Sequence, residues 1–171
     1  PMSMFSGRGD DGYTDTLGGM RVSKNHPMID LIGELDELSA WIGLMVSEER
    51  DAEMKELLSS ILDALTVMMS ALSSYHPEKS LSSSMPFPSS ATLEKWINDC
   101  EREIQMPTSF VRAGSTRLGA LYNLVRTVAR RVERKAVANL PANFPFSDEM
   151  VSYLNRLSTL FFLLWMRTDQ R

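Results

Sequence analysis

A chain of 171 residues, 43% hydrophobic and 23% charged, has the balance of one soluble globular domain with a substantial core. Its net charge of −4 and the lack of a second basic patch interleaved with aromatics argue against a general nucleic-acid binder. A single cysteine, Cys100, rules out an intrachain disulfide framework, and the opening "PMSMFSG" lacks the apolar core of a signal peptide, so a cytoplasmic protein is expected.

Residues 1–26 differ from the rest. They hold more than half of the nine glycines, mixed with Asp, Thr and Ser, which predicts an ordered loop or short strand. From Pro27 the pattern turns helical. His26-Pro27 opens a first helix, with Ile32, Leu35, Leu38, Ile42 and Met45 at helical spacing. A second runs from about 53 to 72 and carries Leu57, Leu58, Ile61, Leu65, Met68 and Leu72 on one side. The stretch "SYHPEKSLSSSMPFPSS" is a loop, broken by serines and three prolines. A third helix is predicted over about 91–105, with Ser90 as its N-cap. After the connection "MPTSFVRAGS" a fourth runs from about 116 to 137, until "NLPANFPF" breaks it. Ser147 then caps a fifth that continues to about Met166. Within it "LSTLFFLLWM" is too short to span a bilayer and reads as a core segment. With no βαβ alternation and no repeat, the expectation is one all-α domain over 1–171: a five-helix bundle at 27–168 behind the glycine-rich segment 1–26. Most of the methionines fall at core positions, where they serve as flexible fillers.

Several chemistries drop out. Only His26 and His76 exist, both beside Pro, so neither a Glu-x-x-His di-iron set, nor a zinc set, nor a Ser-His-Asp triad can be built. The segment "SGRGDDGYTDTLGGMRVSK" is not a Walker A loop. Even so, Gly7, Gly9 and Gly12 allow a backbone anion nest. Asp10 and Asp11 suit either a turn or a hydrated Mg²⁺, and Arg21 and Lys24 add cations. Taken alone, a flexible tail leading into a helix fits equally well. In "GELDELSAW", Glu34, Asp36 and Glu37 share one turn, either as a solvated face or with Asp36 pairing to an Arg of the fourth helix. The run "RTVARRVERK", residues 126–135, concentrates five bases and one Glu in an acidic chain. Arg126, Arg130 and Glu133 fall at i, i+4 and i+7 on one helix face. That face is either a solvated surface with an Arg–Glu pair or an anion site, because guanidiniums match phosphate oxygens.

Four motifs in this order, "GRGDDGYTDTLGG" with "RVSK", "GELDELSAWIG", "RTVARRVER" and "YLNRLS", resemble the PduO-type ATP:cob(I)alamin adenosyltransferases from about residue 7 to 158. The resemblance implies a homotrimer of five-helix bundles with active sites between subunits. It implies transfer of the 5′-deoxyadenosyl group of ATP to cob(I)alamin, giving adenosylcobalamin and triphosphate. Co(I) is already a strong nucleophile, so what such a site must stabilise is the charge on the leaving triphosphate. By similarity Arg126 and Arg130 match the catalytic arginines, Glu133 the Glu beside them, and Asp36 the Asp that pairs with the first arginine across a subunit boundary. Ser6, Gly7, Arg8, Gly9, Asp10, Asp11 and Arg21 fall in the ATP-binding segment, Lys24 matches its phosphate-binding Lys, and Asn155 a residue near the nucleotide. Phe110 matches the Phe that closes the lower face of the corrin and leaves Co(II) four-coordinate. The implied cofactor is Mg²⁺ held mainly by ATP rather than by protein ligands. The implied partners are cob(II)alamin or cob(I)alamin, a flavin reductase and an adenosylcobalamin-dependent enzyme, with neither nucleic acid nor membrane. Tyr13, Arg112 and Thr159 depart from the family pattern. Two other readings stand beside this one: a non-catalytic ATP- or corrinoid-binding regulator on the same fold, and a helical interaction module.

Overall fold

The computed structural model describes residues 5–81 and 85–171; residues 1–4 of the glycine-rich segment and 82–84 of the serine–proline loop lie outside the described residues. Two short strands, β1 (Tyr13–Asp15) and β2 (Arg21–Ser23), precede five helices: α1 (Pro27–Glu48), α2 (Ala52–Ser74), α3 (Ala91–Glu103), α4 (Arg117–Asn139) and α5 (Ser147–Gln170). The expected five-helix bundle is therefore present. In the N-terminal segment the strand alternative holds: β1 and β2 form an antiparallel hairpin with Thr14 opposite Val22. Thr16 closes its turn, accepting Met20 N–H on Oγ1 at 3.1 Å, and Gly19 supplies the positive φ of +83°.

Local chemistry explains the helix starts. His26 Nδ1 accepts from Met28 N–H at 3.1 Å just before Pro27, and Asp51 caps α2. Thr116 caps α4 by accepting Gly119 N–H at 2.9 Å. Ser90 stands at the N-cap of α3 as expected but makes no side-chain cap bond, and the expected Ser147 cap of α5 is corrected. Ser90 has helical backbone angles and its hydroxyl donates to Glu94, while Ser89 Oγ meets the Ala91 N–H. Ser147 is the first residue of α5, and Phe146 stands in the cap position without a side-chain bond. Aromatic packing fixes that boundary: Phe146 stacks on Phe87 with centroids 4.5 Å apart and meets Phe144 edge-on. α5 also runs about one turn past Met166, and α3 ends at Glu103.

The helices are neighbours in the order α2–α1–α4–α5–α3. Leu31, Leu35, Leu38, Ile42 and Met45 of α1 are buried at three- and four-residue intervals, the stripe that burial of one helix face requires. α2 is long and apolar enough to cross a bilayer by length and composition alone. Its stripe Met54, Leu58, Ile61, Leu65, Met68 and Leu72 lies instead in the bundle core. Six methionines are buried there, as core fillers should be. α1 and α4 run antiparallel, which the pairs Asp30–Lys135, Glu34–Arg131 and Glu48–Arg117 register from end to end. The hairpin docks on the C-terminal end of α2, where Gly18 N–H donates to Ser73 O at 2.8 Å. A Cβ at Gly18 would lie 2.7 Å from Tyr75 O, so only glycine permits this approach.

Candidate active site

The cations of α4 divide into two sets. Arg117, Arg131 and Lys135 face α1 and are paired there: Arg117 with Glu48 at 3.1 Å, Arg131 with Glu34 at 2.6 Å and also with Glu37, Lys135 with Asp30 at 2.7 Å. Arg126, Arg130 and Arg134 have no carboxylate partner among the described residues. Arg126 is half-buried against α5. Its Nε donates to Asn123 Oδ1 at 2.9 Å, and its guanidinium carbon lies 6.0 Å from the centre of the Trp165 ring. Burial, and then repulsion from Arg130, push its pKa below the ordinary arginine value. Glu133, the acid expected to pair with an arginine in the solvated-surface reading, instead accepts from Asn155 Nδ2 of α5 at 2.9 Å. Arg126, Arg130, Glu133 and Asn155 thus share the α5 side of α4, with the two guanidiniums uncancelled. Such an arrangement suits an anion that gains charge.

Arg131, which is not among the expected site residues, joins α4 to α1 alongside Arg117 and Lys135, and alone of the three it pairs with two carboxylates. The signal was the Glu34 and Glu37 pair three residues apart, but using it needs the α1–α4 register. Asp36, between those two acids, is exposed and has no partner among the described residues. Within one chain it does not pair with an arginine of α4.

The glycine-rich segment is internally braced. Gly7 and Gly12 have φ of +67° and +82°, and the turns they make return N–H bonds from Asp10 to Gly7 O and from Gly12 to Gly9 O. Lys24 Nζ reaches across to Gly9 O at 2.7 Å. Arg21 binds Asp11 at 2.6 Å, Asp15 at 3.3 Å and the carbonyl of Arg8, while Arg8 pairs with Asp15 at 3.1 Å. Ser6 Oγ accepts from Arg8 N–H at 3.4 Å. The Arg21 guanidinium, and then the Tyr13 N–H, hold the Asp11 carboxyl below the usual aspartate range. Of the two roles open to the acids, Asp11 takes the turn. The Asp10 carboxylate has no partner among the described residues. Tyr13 is accommodated at the surface, its ring 6.0 Å from the Arg21 guanidinium carbon.

Phe110 lies on the α3–α4 loop with 98% of its surface exposed, and Arg112 beside it is exposed too. Thr159 serves as an ordinary helix residue whose hydroxyl donates back to Asn155 O at 3.4 Å. Because α1 and α4 are antiparallel, the Lys24 segment and the Phe110 loop stand at opposite ends of that helix pair. Among the described residues neither touches Arg126 directly, and no group of three or more His, Cys, Asp or Glu forms a metal cage.

Residues 4–168 match the family model described as cobalamin adenosyltransferase. Corrinoid adenosyltransferase PduO of Citrobacter freundii is 31% identical over 98% of this chain and 50% of its own length. The cobalamin adenosyltransferase of Cupriavidus metallidurans is 33% identical over 91% of this chain and 82% of its own length. A PduO-type ATP:corrinoid adenosyltransferase variant from Lactobacillus reuteri, solved with cobalamin and ATP, superposes with a TM-score of 0.86 at 24% identity, covering 98% of this chain and 94% of that one. The chain spans about half the length of the PduO relatives it matches.

Proposed function

The chain belongs to the cobalamin adenosyltransferase family, and on that premise we propose that it transfers the 5′-deoxyadenosyl group of ATP to the cobalt of a reduced corrinoid. The observation that carries this reading is the pair Arg126 and Arg130, left without carboxylates while the α1-facing bases of the same helix are all paired. In the reaction the Co(I) electron pair forms a bond to C5′, the C5′–O bond breaks, and its electrons leave on triphosphate. No proton need be removed, so no general base is required. The two guanidiniums meet the charge that grows on the leaving group, in a setting where a preorganised cation is worth far more than in water.

Lys24 and the backbone N–H groups around Gly7, Gly9 and Gly12 hold the phosphates, with Arg21 and Arg8 bracing that loop through Asp11 and Asp15. With no protein cage among the described residues, Mg²⁺ fits this chain as an ion carried by the phosphates, and Asp10 is the free carboxylate for its waters. When bound it neutralises phosphate charge. Asn155 keeps Glu133 turned from the arginines. An outward Asp36 and an Arg126 lacking an acid are complementary, and a heterologous contact between them closes a homotrimer. Phe110, uncovered in the single chain, then meets the lower face of the corrin. The names of the relatives, corrinoid adenosyltransferases and a complex with cobalamin and ATP, support the same assignment. A cytoplasmic location completes the proposal.

The test mixes the chain with MgATP and chemically reduced cobalamin, follows the spectrum for adenosylcobalamin, counts triphosphate released, and measures assembly by light scattering. ATP binding without product would leave a regulator; a fully active monomer would rule out the Asp36 contact.

A further inference from the structure

The final turn of α5 makes contacts that the proposed reaction leaves unexplained. Residues 169 and 170 hold both ends of the loop that presents Phe110. At its start Gln170 Nε2 donates to Gln105 O at 2.8 Å, and Gln105 N–H donates back to Gln170 Oε1 at 3.0 Å. At its end Thr116 Oγ1 donates to Asp169 Oδ1 at 2.6 Å. The other Asp169 oxygen accepts from Trp165 Nε1 at 2.8 Å, and the Trp165 ring lies 6.0 Å from the Arg126 guanidinium carbon. Gly119 admits the arrangement, because a Cβ there would run into the Asp169 carboxylate and Thr116 Oγ1. A line of direct contacts therefore leads from the loop to Arg126, roughly 15 Å along α4.

The plainer explanation is that these side chains finish α5. A helix end needs partners for its last carbonyls, yet none of the Asp169 and Gln170 side-chain bonds goes to one; all run to the two ends of the loop or to the Trp165 indole. Both residues lie just beyond the 4–168 segment matched by the family model.

We propose that Trp165, Asp169 and Gln170 are positioning residues that tie the corrinoid-facing loop to Arg126, an inference that rests on the function proposed above. Gln170 serves the loop alone, Trp165 the guanidinium alone, and Asp169 both. Steady-state kinetics on the full chain separate the roles. Gln170→Ala raises the KM for corrinoid about tenfold, within the scale of removing its two hydrogen bonds to Gln105, with kcat and the KM for ATP within about twofold. Trp165→Leu lowers kcat by about tenfold and leaves the corrinoid KM unchanged, and Trp165→Phe, which keeps a ring beside Arg126 but loses the bond to Asp169, restores only part of it. Asp169→Ala does both. Gly119→Ala, which expels the carboxylate without altering it, reproduces Asp169→Ala, and the double variant is no worse than either.

Equal proportional losses in every variant, or a lowered melting temperature with unchanged kinetics, overturn the proposal. Amide exchange without substrate gives a readout free of activity: Gln105 N–H exchanges faster in Gln170→Ala, and Gly119 N–H faster in Asp169→Ala. Unchanged exchange sinks the clip even in an active enzyme. A wild-type chain that makes no adenosylcobalamin, yet shows these exchange differences, sinks the proposed function and keeps the clip.

Discussion

Asn155 and Glu133 face each other between α5 and α4, the asparagine amide donating to the carboxylate at 2.9 Å. Glu133 is the only acid of α4, three residues beyond Arg130, so this one bond decides whether the arginine row keeps its charge. Removing it frees Glu133 to turn toward Arg130, an exposed i,i+3 pair of about 0.3–0.5 kcal/mol. Asn155→Ala should accordingly raise the KM for ATP by only about twofold through this route, apart from any bond the amide itself makes to nucleotide. Adding Glu133→Gln should reverse that part. A double variant as impaired as the single would show that Asn155 acts on nucleotide alone.

The two sets of α4 cations should separate catalysis from stability. Arg126→Ala is expected to lower kcat by about 10²–10³-fold, the range for deleting one preorganised charge stabiliser. Arg126→Lys should recover little, since an ammonium reproduces neither the bond to Asn123 nor the planar contact with Trp165. Arg131→Ala should leave kcat near wild type but cost about 1 kcal/mol in a denaturant titration, the upper end for partly exposed pairs, because two carboxylates share that one partner. Arg134→Ala, whose side chain meets only the Arg130 carbonyl, should be nearly silent in both assays. Parallel losses across the three would reduce the run to a charged surface.

Acid should loosen the hairpin and the α1–α4 seam together. Arg21 lowers the Asp11 pKa and Lys135 that of Asp30, both from 3.8, so each contributes stability that is complete above that value and disappears as pH falls through the lower folded one. Lys135 is raised from 10.5 by Asp30, so its share is complete below that value and is lost above it. Melting of wild type and Asp30→Asn should differ between about pH 5 and 9 and converge at both extremes. A difference that persists at pH 2 would mean the seam does not depend on this carboxylate.

Phe110→Ala should leave melting unchanged, because the ring is 98% exposed and contributes nothing to the core. Activity from Co(II) with a reductase should fall much more than activity from prereduced Co(I), since an open lower face readmits an axial ligand. Equal losses in the two assays would remove Phe110 from the corrin site.

Much of the fold was legible from the sequence for a plain reason. Five stretches repeat apolar residues every three or four positions, and burial follows that period without regard to partners. What escaped depends on partners. Ser90 and Ser147 are ordinary cap residues by type, but the helical angles of Ser90 leave its cap position without a side-chain bond, and Phe146, stacked on Phe87, takes the cap position of α5. The last turn of α5 reads as polar and terminal, and its contacts with Gln105 and Thr116 are visible only after the chain is folded. Likewise "RTVARRVERK" does not say which arginine turns to which neighbour: Arg131 is held by α1, and Arg126 is not, purely through helix register.

Leaving Arg126 and Arg130 without counter-charges has a practical side. Folding does nothing to relieve the repulsion between them, so any multivalent anion of phosphate-like geometry will be drawn to the row. Sulfate or phosphate in a purification buffer would then act as a competitor of nucleotide and, by binding only the folded chain, raise the apparent melting temperature. Simple salt at about 0.15 M would weaken the attraction over a Debye length of about 8 Å, while the α1-facing bases, already in contact with their acids, feel it less. Buffer composition is thus part of this chain's chemistry, and affinities taken in different buffers describe different competitions.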